Sequence, residues 1–198
     1  METESRVIPF FPLPVAVIPG EVIPLHIFEP RYKSLMEDCR NDHIEFGIPF
    51  VREGKLESFG ALMQLERIKR VYRNGTLDVE VRCTGTFELH DFRDPMPGKE
   101  YSGGEVRPIN LSTPWPDQNL KKLFLEYADL VPELGIDRED AADFYAIARA
   151  LSLDHAAKYA IITPAADSSK LIALENELKL AIQIRRQANL ISDNFHLN

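Results

Sequence analysis

Few residues in this chain combine a reactive type with a spacing that could do chemistry. Cys39 and His43 are four apart, an interval that puts two side chains on one helical face, as metal ligands require. A metal centre needs further ligands, however, and nothing nearby supplies them in a recognisable pattern; His43 also falls beyond the expected helix end. His90-Asp91 and Asp154-His155 have the residue types of a proton relay. Neither comes with a serine or cysteine nucleophile motif, and Asp154 is better placed as a helix N-cap. Arg67, Lys69, Arg70 and Arg73 form the one local basic cluster, a candidate contact for RNA. Glu66, Asp78 and Glu80 interleave with it through strand pairing, so a solvated hairpin face is the better reading. The expectation is no catalytic, metal or cofactor-binding residue.

Composition narrows the partners. Hydrophobic residues make up 44% and charged residues 27% of the 198, which is globular. The net charge is −8, against nucleic acid as the main partner, because such binding rests on neutralising phosphates with Lys and Arg. The acidity is even: residues 1–112 carry 14 basic and 18 acidic groups, residues 113–198 carry 9 and 13. No apolar run approaches the roughly 20 residues that span a bilayer, and Met1–Ser5 is acidic and polar where a secretory signal is basic and then apolar. A soluble, cytoplasmic protein with no membrane partner is expected. Cys39 and Cys83 are the only cysteines; spacing alone does not exclude a disulfide, but in that setting they read as reduced, buried small hydrophobes.

The elements that must position these residues change character near Ser112. Before it the chain is β-branched, aromatic and broken by Gly, Pro and Asn; after it come helical stretches of Ala, Leu, Glu and Lys. Two parts follow: a β-rich subdomain over residues 1–112 and a helical bundle over residues 113–198. Strands are expected at Val7–Phe11, Val22–Phe28, Glu45–Phe50, Gly85–Phe92 and Gly104–Ile109, enough for a curled sheet or partly closed barrel. Asn74-Gly75 predicts a type I′ hairpin, pairing Tyr72 with Leu77, Ile68 with Val81 and Lys69 with Glu80, and leaving Arg70 misplaced opposite Val79. The apolar phase switches between Leu65 and Ile68, predicting a β-bulge near Glu66–Arg67. Helices are expected at Pro30–Asn41 (with a Lys33–Glu37 pair), Asp117–Leu134, Arg138–Leu151 capped by Asp137, from Asp154 to before Pro164, and from Asp167 or Ser168 to Ile191. The last carries Leu171, Leu174, Leu178, Ala181, Ala188 and Ile191 as its apolar stripe.

The most informative stretch is Pro12–Tyr32. Six of the fourteen prolines fall in residues 1–30, so this apolar stretch must run along edges and turns. Phe11–Leu13, Pro19-Gly20 and Pro24–Tyr32 closely resemble the opening of the Lon N-terminal, substrate-binding domain family. Phe46-Gly47, Gly60-Ala61, Asn74-Gly75, Thr84–Glu88 and, more weakly, Leu171–Arg186 continue the resemblance along nearly the whole chain.

The resemblance implies an α+β fold, a PUA-like pseudo-barrel followed by a helical bundle. It also implies a non-catalytic module that binds exposed or unfolded polypeptide segments, working with a separate protease or chaperone; RNA binding by the PUA-like sheet is the alternative. The ATPase loop of full Lon proteases has no counterpart in these residues: Gly54-Lys55 is followed by Leu56, and Gly98-Lys99 by Glu100. The Pro-Ser-Ala-Gly nucleophile motif is missing too. Two readings of Pro24–Tyr32 compete. Its residues could line a groove for extended peptides, with Pro24, His26, Phe28 and Tyr32 as contacts and a strand edge offering β-augmentation. Alternatively Leu25, Ile27 and Phe28 are core while Glu29 and Arg31 pin a strand-to-helix corner. The second suits most of the run, and His26 and Tyr32 are then the best outward contacts.

Overall fold

The computed structural model describes residues 4–111 and 113–195. The chain falls into two compact units, Met1–Leu111 and Ser112–Asn198. Among the described residues of the first unit, β1 (Arg6–Pro9), β2 (Val22–Ile27), β3 (Phe46–Arg52), β4 (Lys55–Val71), β5 (Leu77–Leu89) and β6 (Gly103–Ile109) form one sheet. Helix α1 (Pro30–Asp42) lies between β2 and β3 in the chain. The strand order is β1-β6-β5-β4-β3, with β2 also on β5, and every ladder is antiparallel. The sheet curls into a half-barrel. The stretch after β1 meets the far edge, where Phe10 and Leu13 bridge Gly47 and Phe50 in parallel.

Alternation along β5 explains the curl's inner face. Val79, Val81 and Cys83 are buried while Arg82 and Thr84 are exposed, the period of two of a half-buried strand. Those inward residues join Ile27, Leu35, Met36, Cys39, Phe46, Ile48, Met63 and Tyr101 in one core cluster. Ile8, Phe10, Leu62, Phe87 and Val106 make a second. Gly60 belongs to the architecture of the second: a Cβ there would stand 2.5 Å from the Phe87 ring and 2.6 Å from the Ile48 carbonyl oxygen. No side chain fits that approach.

The β4–β5 hairpin differs from its expected register. Pairing runs Val71 to Leu77, Arg70 to Asp78, Ile68 to Val79, Arg67 to Glu80 and Leu65 to Val81. Of the pair Asn74-Gly75 only Gly75 has a positive φ, 76°, so the turn is not type I′. The Asn74 side chain instead accepts from the Thr76 amide and hydroxyl at 3.1 and 2.9 Å, and Tyr72 and Thr76 close a three-residue loop. The bulge expected near Glu66–Arg67 is present, and a second lies between Ile68 and Arg70. Together they put Arg70 beside Asp78 and remove the misfit with Val79. The Lys69–Glu80 ion pair forms at 2.9 Å even so. A two-residue turn with both φ values positive occurs at Glu53–Gly54, between β3 and β4.

The second unit is helical: α2 (Gln118–Leu130), α3 (Phe144–Ala150), α4 (His155–Ile162) and α5 (Asp167–Phe195), with 3-10 turns at Pro132–Leu134 and Arg138–Ala142. Asp117, Asp143 and Asp154 cap α2, α3 and α4 by accepting amide hydrogen bonds. Asp137 caps only the second 3-10 turn, so the helix expected from Arg138 starts later, behind Asp143. Leu174, Leu178 and Ile182 carry the buried stripe of α5; Ala188 is exposed, and the Ile191 side chain lies outside the described residues. No described helix is long and apolar enough to cross a membrane.

Candidate functional site

Strand β2 sorts the run that the resemblance singled out. Ile23, Leu25 and Ile27 face inward: Ile27 is buried, and Ile23 and Leu25 pack against the first core cluster. Val22, Pro24 and His26 face outward and are exposed. Phe28 keeps the outward parity and is 62% exposed, which corrects its assignment to the core. Tyr32 is corrected in the other direction. On α1 it shares the buried face with Leu35, Met36 and Cys39, spacing that turns it inward, and its ring lies 4.1 Å from that of Phe11. The strand-to-helix corner is pinned as expected, with the Arg31 Nε donating to Glu29 at 3.0 Å.

Pairing with β5 and β4 assembles a site around His26. His26 stands opposite Asp78, and Asp78 opposite Arg70. The His26 Nδ1 and Asp78 Oδ1 are 2.6 Å apart, and the Tyr72 hydroxyl donates to Asp78 Oδ2 at 2.5 Å. These two bonds hold the Asp78 carboxyl below the usual carboxylate range and push the Tyr72 phenol up. An ionised carboxylate only accepts, so Nδ1 is the donor in this bond. The His26 ring stacks on Phe28 with centroids 6.2 Å apart and meets Tyr72 edge-on at 5.9 Å. The Arg70 guanidinium covers Tyr72 at 4.7 Å. Pro24, Leu25, His26, Lys69, Arg70 and Asp78 line an open concavity of about 530 Å³.

Among the described residues β2 pairs with β5 alone, so its other edge is open. Pro24 offers no N–H to an added strand, which blunts that edge in its middle. Side chains therefore dominate what the site presents.

The other candidates have structural roles. Cys39 and Cys83 are free and buried, and burial pushes both thiols up to about 12. His43 takes a left-handed conformation as the C-cap of α1. His90 lies 3.4 Å from Glu88, and Asp91 pairs with Arg93 at 2.6 Å. Arg67 and Lys69 both close on Glu80. The expected Lys33–Glu37 pair does not form; the Lys33 ammonium sits 3.6 Å from where a Gly75 Cβ would stand. Sequence reasoning missed Asp78 and Tyr72 as partners of His26, because β2 and β5 are some fifty residues apart. The alternation of Leu77–Cys83 was the one available signal, since it turned Asp78 outward.

These features define the class first: an α+β protein in which a curled antiparallel half-barrel sheet is followed by helices. The chain belongs to the family of the ATP-dependent protease La (LON) substrate-binding domain, matching it over residues 7–195. It is similar in fold to the crystal structure of a Lon N-terminal domain protein from Xanthomonas campestris. The TM-score is 0.62 at 23% identity, over 85% of this chain and 98% of that one. It is also similar to the N-terminal domain of Mycobacterium avium complex Lon protease, with a TM-score of 0.52 and 15% identity over 91% and 98% of the two chains. No curated relative matches.

Proposed function

We propose that this chain is a non-catalytic polypeptide-binding domain that recognises exposed or unfolded segments of other proteins. On this reading the outward row Pro24, His26 and Phe28, together with Tyr72, is the contact surface. Family membership gives the reading its class, and one observation carries the location: exposed Phe28 and His26 and half-buried Tyr72 make a run of rings whose middle and far members are held by Asp78. Rings already fixed lose little entropy on binding, and aromatic residues with an adjacent Arg dominate protein recognition. A cytoplasmic setting and a separate protease or chaperone that receives the bound segment complete the reading. The domain contributes recognition and no bond-breaking step.

Denatured model proteins and a peptide array provide the test. Binding in the micromolar range that weakens when Phe28 or Tyr72 is replaced by Ala supports the proposal. No binding of any peptide at high micromolar concentration overturns it. RNA is the less favoured partner: Arg67 and Lys69, half of the basic cluster, are committed to Glu80.

A further inference from the structure

The rim of the aromatic surface carries a charge opposite to that of the whole molecule. Against a net charge of −8, the β4–β5 loop and its neighbours gather Lys33, Arg70 and Arg73. Among the described residues none of these three closes an ion pair at contact distance, although Arg70 stands opposite Asp78 and draws on its charge. The two outward carboxylates of the facing strand are already engaged: Asp78 accepts from His26 and Tyr72, and Glu80 from Arg67 and Lys69. Arg70 lies on the Tyr72 ring, so one cation is fixed directly against the aromatic surface. Lys33 reaches the loop from α1, beside Gly75. A ligand laid over Phe28, His26 and Tyr72 therefore ends beside Arg70, whose neighbour Asp78 is already bonded to His26 and Tyr72, with Arg73 and Lys33 at the adjoining loop.

Resting on the polypeptide-binding reading above, we infer that this site selects extended segments in which an aromatic or other planar apolar side chain is flanked by carboxylates. The apolar residue covers the Phe28–His26–Tyr72 surface while Asp or Glu beside it meets Arg70, Arg73 and Lys33. The acidic remainder of the protein repels the same segments elsewhere, which concentrates them on this rim. Segments flanked by Lys or Arg meet the opposite arrangement and are disfavoured.

Fluorescence anisotropy on the intact chain tests this with three labelled peptides of equal length: a Tyr flanked by Asp and Glu, the same Tyr flanked by Lys, and the acidic peptide with Ala in place of Tyr. The acidic aromatic peptide is expected to bind about tenfold tighter than either other at low salt, as three partly exposed ion pairs and one aromatic contact allow. The advantage over the Lys-flanked peptide should shrink in 0.5 M salt. Arg70→Glu/Arg73→Glu should reverse the charge preference, and Arg73→Gln, at an exposed loop position, should narrow it. Equal binding of the two aromatic peptides overturns the charge inference and leaves polypeptide recognition intact. Binding of none, denatured proteins included, overturns both. Tighter binding of a single-stranded RNA than of the acidic aromatic peptide overturns the inference in favour of nucleic acid.

Discussion

Strand β2 presents two faces from one backbone, and they differ in what holds them. Its inner residues Ile23, Leu25 and Ile27 pack into the sheet's core with Val79, Val81 and the helix residues Leu35 and Met36. Its outer residues Val22, Pro24 and His26, continued by Phe28, are exposed; His26 is held by Asp78 and Tyr72, and Phe28 stacks on His26. The difference teaches that a motif can mark a lineage and a surface at once without the same residues doing both. Apolar burial keeps the inner face, whereas the outer face has no packing reason to hold an aromatic such as Phe28. Phe28 stands exposed at the end of the ring cluster that His26 and Tyr72 continue, which is the reason for placing the proposed contact there.

The comparison can be broken most sharply at the buried thiols. With both pushed up to about 12 by burial, Cys39 and Cys83 should react with a thiol reagent at pH 8 roughly a thousandfold more slowly in the native chain than in urea. Fast labelling of the native protein would mean the inner face opens readily. Next comes Ile27→Ala, which should destabilise the chain by about 2–5 kcal/mol in a denaturant titration while leaving peptide affinity per folded molecule unchanged. Phe28→Ala should do the reverse: stability within about 0.5 kcal/mol of the parent and roughly tenfold weaker peptide binding. A Phe28→Ala variant as unstable as Ile27→Ala would merge the two faces into one.

The smallest effect is on pH dependence. The folded Asp78 carboxyl titrates below its unfolded value because His26 and Tyr72 bond to the charged form. Its contribution is therefore present in full above the unfolded value, near pH 4, and is lost as pH falls through the lower folded value. Asp78→Asn should flatten this acid limb slightly and no more, since Asp38, Glu80 and Glu88 are lowered in the same sense. Stability against pH for the variant and its parent checks it.

Much of the fold was legible because its signals are local. The bulge near Glu66, the Pro30 start of α1, and the cap at Asp154 each follow from a few neighbouring residues. The hairpin register was misread because Asn74 can serve a turn in two ways, and its side-chain bonds to Thr76, not its φ preference, decided between them. The helix expected from Arg138 failed for a similar reason: Asp143 is the stronger cap, accepting two amides. At the site, period two made His26 legible as outward, and the same rule carried to Phe28 would have exposed it. Tyr32 was read as though it still belonged to the strand, although Pro30 had already begun a helix whose spacing turns it inward. Asp78 and Tyr72 could not be joined to His26, because a contact between strands distant in sequence leaves no local trace.

The most direct test of the central claim is amide hydrogen exchange on the intact chain, with and without a saturating denatured protein. The account predicts slowed exchange at Val22–Phe28 and in the loop Tyr72–Thr76, with little change along β6 or α5. Slowed exchange confined to β6 or α5, with β2 and the loop unchanged, would contradict it.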